Sequence, residues 1–344
     1  MAEALLTEAA KDAGAAGAAA PASGGRPFWR RLRARRSALV AAALVALLIL
    51  VALAAPLLTA LEGQNPTTYH PGLVDSATGG VPIGSLGGMS ADHWLGVEPL
   101  TGRDLFARVV YGARVSLGVA LAATLVQVVL GVGIGLAAGL GNRYVDQVLS
   151  RVTDVMVALP IMVIALGALA VVPAGFPRPV LIAVVIGLVG WAGTSKIVRA
   201  QTLALKSLDH VAAARLSGWS PWQVARRELL PGLAAPVITY AVLLFPANIV
   251  VEAALSFLGV GIKPPTPSWG QMLTDADTWY QAAPTYLLIP AVLLFGTVLA
   301  LTVLGEGVRV ALDPRAESRL RVGTGRKAET GARAGTGNKE ETEA

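Results

Sequence analysis

The 344-residue chain has no cysteine, which excludes disulfide pairing, thiol catalysis and thiolate metal ligation. Histidine is scarce as well: His70, His93 and His210 are the only three, far apart in sequence and without neighbouring ligands, which argues against a histidine-based metal site. Charge is thin, with Asp, Glu, Lys and Arg making up 15% of residues against roughly 25% in soluble proteins. A phosphate-binding loop is missing, since Gly193-Thr-Ser-Lys196 sets its lysine at the wrong spacing, so the chain itself is not expected to bind ATP. Ser195 lacks a nearby His or Asp to activate it, and no His-Glu-x-x-His pattern occurs, which disfavours a hydrolase. The chain is rich instead in apolar residues, 54% of the total. They fall in blocks long enough to cross about 30 Å of hydrocarbon.

Residues 1–36 read as a basic tail, Ala/Gly/Ser-rich and disordered, that ends in Arg26, Arg30, Arg31, Arg33, Arg35 and Arg36. A first span at 37–61 follows, too long for a signal peptide and without a convincing cleavage site. Residues 62–112 are polar and Gly/Pro-rich, an extracytoplasmic loop. Five further spans are expected at about 115–140, 148–172, 180–198, 233–261 and 285–304, within a transmembrane domain at 113–311, and a disordered tail at 312–344 closes the chain. Basic residues crowd the N-terminus, the segment between the fourth and fifth spans, and the C-terminus. This bias puts both termini in the cytoplasm of a multi-pass cell-membrane protein, and makes the +6 net charge a matter of topology, not of nucleic-acid binding. Arg103, Arg108 and Arg114 lie on the wrong side for that rule. Gly131, Gly135 and Gly139 recur every fourth residue, the pattern of closely packed membrane helices. Few ionisable residues fall inside the spans. Asp154 and Glu306 lie near cytoplasmic ends, whereas Glu252, with the neutral Asn248 and Gln127, lies deep enough to need a partner or a wet cavity.

The most structured polar stretch is the cytoplasmic loop at 203–232. From Asp209 it reads as two short helices with a sharp corner. Gly218 supplies the left-handed residue that closes the first helix. Ser220, with Pro221 behind it and Gln223 at the capping-box position, starts a second, which Pro231 is expected to end. Arg215, Arg226 and Arg227 supply positive charge, and Trp219 and Trp222 are candidate anchors for a docking surface.

Ala213, Ala214, Gly218 and the Leu229-Leu230-Pro231 ending resemble the signature loop of permease subunits in binding-protein-dependent ABC importers. His93-Trp-Leu-Gly96, Gly102-Arg-Asp104, Tyr111-Gly-Ala-Arg114, Glu252-Ala-Ala-Leu-Ser-Phe-Leu-Gly259 and Pro264-Pro-Thr-Pro-Ser-Trp-Gly270 are similar to the second permease of the dipeptide/oligopeptide/nickel branch. The resemblance implies an all-α, six-span, type I (MetI-like) fold. It also implies import of peptides or a related small solute such as nickel. The partners it implies are two ATPase subunits (or one fused), a second permease, an extracytoplasmic binding protein and membrane lipid. The chain would bind no cofactor, and its partners would hydrolyse the ATP. An ion-coupled transporter working without an ATPase is the competing reading, and it would need more buried charge or an inverted repeat. Two departures stand out. Ala212 replaces the family's glutamate, removing both a charge at the ATPase contact and a helix-capping carboxylate. The segment Val97-Glu-Pro-Leu-Thr101 is one residue longer than the family pattern.

Overall fold

A computed structural model describes residues 28–33, 35–172 and 175–312. Residues 1–27 and 34 of the tail expected at 1–36, and 313–344 of the tail expected at 312–344, therefore lie outside the described residues, as do Pro173 and Ala174 of the turn between the third and fourth spans. Phe28–Arg33, expected to be part of the disordered tail, is instead a short helix (α1). Phe28 and Trp29 stack edge to face there, with ring centroids 5.2 Å apart.

Residues 36–308 pack as one unit. Its first span is α2 (Arg36–Leu53); α3 (Ala55–Glu62) follows it, with the break at Ala54 set by Pro56 in the first turn of α3. The second is α4 (Leu105–Leu140), whose 36 residues extend for about 54 Å, far beyond the hydrocarbon thickness. The helix expected from about Val115 thus begins ten residues earlier, capped by Asp104, whose carboxylate accepts from the Ala107 N–H at 2.6 Å. Helices α5 (Arg143–Ala158) and α6 (Ile161–Val171) meet at 86°, because Leu159 takes the extended conformation imposed by Pro160. Helices α7 (Arg178–Gly190) and α8 (Ala192–Lys206) meet at 44°. By length and composition four helices are able to cross a membrane, and six spans result when each bent pair counts once.

Between α3 and α4 the chain forms a two-stranded antiparallel ribbon, β1 (Val74–Asp75) with β2 (Val81–Pro82). Beyond α8 come α9 (Asp209–Leu216), α10 (Pro221–Val224) and a π-helical turn at Ala225–Leu229. Helix α11 (Leu230–Phe257) follows, carrying Pro236 and Pro246 inside it. The segment expected to be an external loop at 262–284 holds a further helix, α12 (Trp269–Ala276), before α13 (Pro284–Leu312). Trp269 is fully buried and donates its indole N–H to the Val109 carbonyl at 3.1 Å, pinning α12 to α4.

The glycine face of α4 lies on α8. A Cβ at Gly131 would stand 2.7 Å from the Thr194 methyl carbon, one at Gly135 2.7 Å from the Val198 Cβ, and one at Gly139 2.6 Å from the Thr202 methyl carbon. The partners on α8 repeat at the same four-residue interval, so two backbones share a seam that a larger side chain would force apart. Lys206 fixes the inner end of this seam by donating to the Gly139 carbonyl at 3.1 Å.

Candidate functional site

The stretch between α8 and α11 packs on an apolar core that it shares with α4, α8 and α11. Val211, Val224 and Leu229 are buried together with Val198 of α8 and Leu233 of α11. The corner between its helices follows from backbone hydrogen bonding. Gly218 has φ +82°, its N–H reaches the Arg215 carbonyl at 3.0 Å, and the Trp219 N–H reaches the Ala214 carbonyl at 3.2 Å. Ser220 and Gln223 then complete a reciprocal capping box at 3.3 and 2.8 Å. His210 on the first helix stands 3.7 Å from Glu228 on the second.

Three expectations change in detail. Pro231 does not end the second helix. The π turn lets the Leu230 N–H bond to Ala225, so the ladder widens just where Pro231 has no N–H to give, and the helix continues into the membrane. The loop is therefore rigidly joined to a span. Ala212 is the fourth residue of α9, counted from Asp209, so a carboxylate there would sit one residue past the capping-box position and its absence costs no cap. The three alanines do not share one open face: Ala212 and Ala213 are exposed, whereas Ala214 is buried.

The two tryptophans also part company. Trp219 is half-buried against the loop core, with the Arg227 guanidinium 5.4 Å from its ring centre. Trp222 is 69% exposed and Leu216, at the corner, 90%. Asp209, Arg215, Arg226, Arg227 and Pro231 are exposed as well, and Leu230 is half-buried. Sequence reasoning passed over Leu216; a leucine immediately before Ser217-Gly218, where the helix must stop, was the signal. Two ion pairs stiffen the neighbouring helices. Arg199 makes a bidentate contact with Asp146 at 2.5 and 2.8 Å, and Lys196 meets Asp154 at 2.9 Å. Asp154 thus has a basic partner in addition to solvent.

Within the spans, Asn248 and Gln127 form a reciprocal amide pair at 2.9 and 3.1 Å. Asn248 also donates to Thr124 at 2.8 Å, and Gln127 to the Ile186 carbonyl at 3.2 Å. This joins α4, α7 and α11 with nearly every polar atom satisfied. Glu252 is fully buried and accepts from the Ser256 hydroxyl at 2.9 Å.

Two of the three arginines that run against the charge bias, Arg103 and Arg108, are accounted for by a buried cluster at the N-terminal end of α4. Arg103 donates to Glu98 at 2.6 Å, and Arg108 pairs with the other oxygen of the same carboxylate. Tyr286 donates to Glu98 at 3.0 Å, and Arg108 donates to Gln271 at 2.7 Å. Glu98 belongs to the lengthened Val97–Thr101 segment. This segment turns with Leu100 at φ +63°, held by a 2.8 Å bond from the Leu100 N–H to the Gly80 carbonyl. Next to it, His93 meets Asp104 at 2.8 Å, and the His70 and His93 rings, distant in sequence, stand 5.3 Å apart. Glu62, at the end of α3, accepts from the Trp94 N–H at 2.9 Å. Burial, and then the Asp104 carboxylate, push its pKa up to about 7 despite that bond.

Residues 131–318 match the family described as binding-protein-dependent transport system inner membrane component. The chain belongs to that permease family. Residues 24–73 match the N-terminal TM domain of oligopeptide transport permease C. Among relatives, a glutathione transport system permease protein GsiD of Pectobacterium atrosepticum is 34% identical over 85% of this chain and 92% of its own length. A dipeptide transport system permease protein DppC of Alkalihalophilus pseudofirmus is 33% identical over 85% and 90%. The GsiD protein of Salmonella typhimurium is 37% identical over 84% and 90%. A solved structure of the inward-facing MetNI methionine ABC transporter aligns over 61% of this permease and 98% of that chain, with TM-score 0.48 and 16% identity. By its family and its spans the permease is a multi-pass inner-membrane protein, and its fold is mostly helical.

Proposed function

We propose that this permease subunit carries peptides, or a small solute of peptide-like chemistry, across the cytoplasmic membrane in an ABC importer driven by separate ATPase subunits. The observation that carries the reading is the loop at 203–232. It packs on an apolar core shared with α4, α8 and α11, is continuous with a membrane helix through the π turn, and exposes Leu216, Trp222, Arg215 and Arg226, which nothing among the described residues covers. A rigid exposed element of this kind transmits a push to the spans without losing it in bending. The glutathione and dipeptide permeases among the relatives support peptide-like cargo. Two ATPase subunits or one fused pair, a second permease and an extracytoplasmic binding protein complete the assembly, with both termini of this chain in the cytoplasm.

The test is uptake of labelled dipeptide and glutathione by proteoliposomes holding the assembled transporter. ATP-dependent uptake is expected with the native subunit and its loss with Gly218→Pro, since proline cannot adopt φ +82°. Uptake that persists without any ATPase subunit, or that survives Gly218→Pro unchanged, contradicts the proposal.

A further inference from the structure

Of the three arginines near the outer end of α4, Arg103 and Arg108 are buried and share Glu98. Arg114 is exposed, and among the described residues it makes no hydrogen bond or ion pair. It stands at one end of a groove of about 290 Å³ between α4 and α7, lined by Val115, Gly118, Ala122 and Val126 on one wall and Pro179, Val180 and Val184 on the other. No acidic residue lines it. Pro179 and Val180 belong to the first turn of α7, so Arg114 lies level with the end of a span. From Gly118 to Val126 the groove runs about 12 Å inward along α4. A Cβ at Gly118 would meet nothing within 4 Å, so this stretch of the wall is open.

We propose that this groove is a phospholipid site, with Arg114 holding the anionic phosphate and an acyl chain lying across Gly118 toward Val126. An anionic group is the natural partner of an arginine at the edge of the hydrocarbon, and none is present in the groove among the described residues. The residues that continue this face, Leu121, Leu125 and Val129 on α4 and Leu188 on α7, are exposed and apolar. A path for a polar cargo would carry polar groups along its wall, and here Arg114 at one end is the sole one. The lipid-facing wall and the single cation together match one molecule with a charged head and a long tail.

The experiment uses the assembled transporter in detergent, with bound molecules counted by native mass spectrometry. The probes are dioleoyl phosphatidylglycerol, dioleoyl phosphatidylcholine and glycerol 1-phosphate. The native protein is expected to retain phosphatidylglycerol over phosphatidylcholine and to ignore glycerol 1-phosphate. Arg114→Gln should weaken phosphatidylglycerol binding about fivefold. Gly118→Leu, which fills the groove and leaves the arginine in place, should weaken it as well. Equal retention by all three proteins overturns the proposal, as does equal retention of the two lipids. Binding of glycerol 1-phosphate as tight as that of the lipid would identify an anion site instead. Loss of the second permease from Gly118→Leu with lipid retention unchanged would identify a subunit contact.

Discussion

The outer cluster and the inner loop use the same residue types to opposite ends. At the outer end of α4, Glu98, Arg103, Asp104 and Arg108 are almost fully buried, and their charges meet one another or His93, Tyr286 and Gln271 inside the chain. In the loop, Arg215 and Arg226 lie open to solvent beside Leu216 and Trp222. Arg227, also open, lies over the Trp219 ring. The first region pairs its carboxylates and guanidinium groups within the chain, although Arg103 Nη1 and His70 Nε2 are buried without a hydrogen bond among the described residues, and it ties the start of α4 to α12 and α13. The second is finished inside and unfinished outside, which is the form of a surface that another protein completes.

The sharpest way to break this comparison is to remove one arginine from each region. Arg108→Met leaves Glu98 buried with one cation fewer and should cost about 3–5 kcal/mol, read as a large fall in the detergent melting temperature. Arg226→Met should leave stability within about 0.5 kcal/mol of native, with little change in melting temperature, and weaken ATPase co-purification. Next in size, Trp222→Ala should cost about 2 kcal/mol of ATPase binding, whereas Trp219→Ala should act first on stability, because its ring packs on the loop core.

The pH dependence of the outer region comes third. Glu62 has its pKa raised from 4.5 to about 7, so the folded state binds the extra proton between these values. Its contribution favours the folded state at low pH and is lost as pH rises through that window. Melting temperatures at pH 5 and pH 8 should therefore differ in that direction, and Glu62→Gln should flatten the difference. The smallest effect is at Leu100, whose left-handed backbone costs about 1–2 kcal/mol that glycine would not incur. Leu100→Gly should raise stability by about 1 kcal/mol, less whatever contact its side chain loses.

Six spans, the glycine seam and the capped corner at Gly218 and Ser220 were all legible in the sequence, because each rests on local chemistry: hydropathy, a four-residue repeat, and residues with special backbone or capping preferences. What escaped was set by distant contacts. His70 and His93 became neighbours only because the outer segment folds back on the start of α4. Arg103 and Arg108, anomalous for topology, were explained by a glutamate in a turn that had drawn attention only for its length. Helix α12 carried a readable signal in Ser268, which caps through the Gln271 N–H at 3.2 Å, but its composition resembles a loop. Pro231 was misread because a proline usually ends a helix, and nothing local announces a π turn that accommodates one.

The central claim is that the loop at 203–232 is the surface on which the ATPase acts. The chain has no native cysteine, so a single one is a clean handle. Leu216→Cys and, on the other side of the membrane, the exposed Ser85→Cys would each be labelled with a photoreactive maleimide in the assembled transporter. The expected result is a cross-link to the ATPase from position 216 and none from position 85. No ATPase adduct at 216, or equal adducts from both positions, would contradict the account.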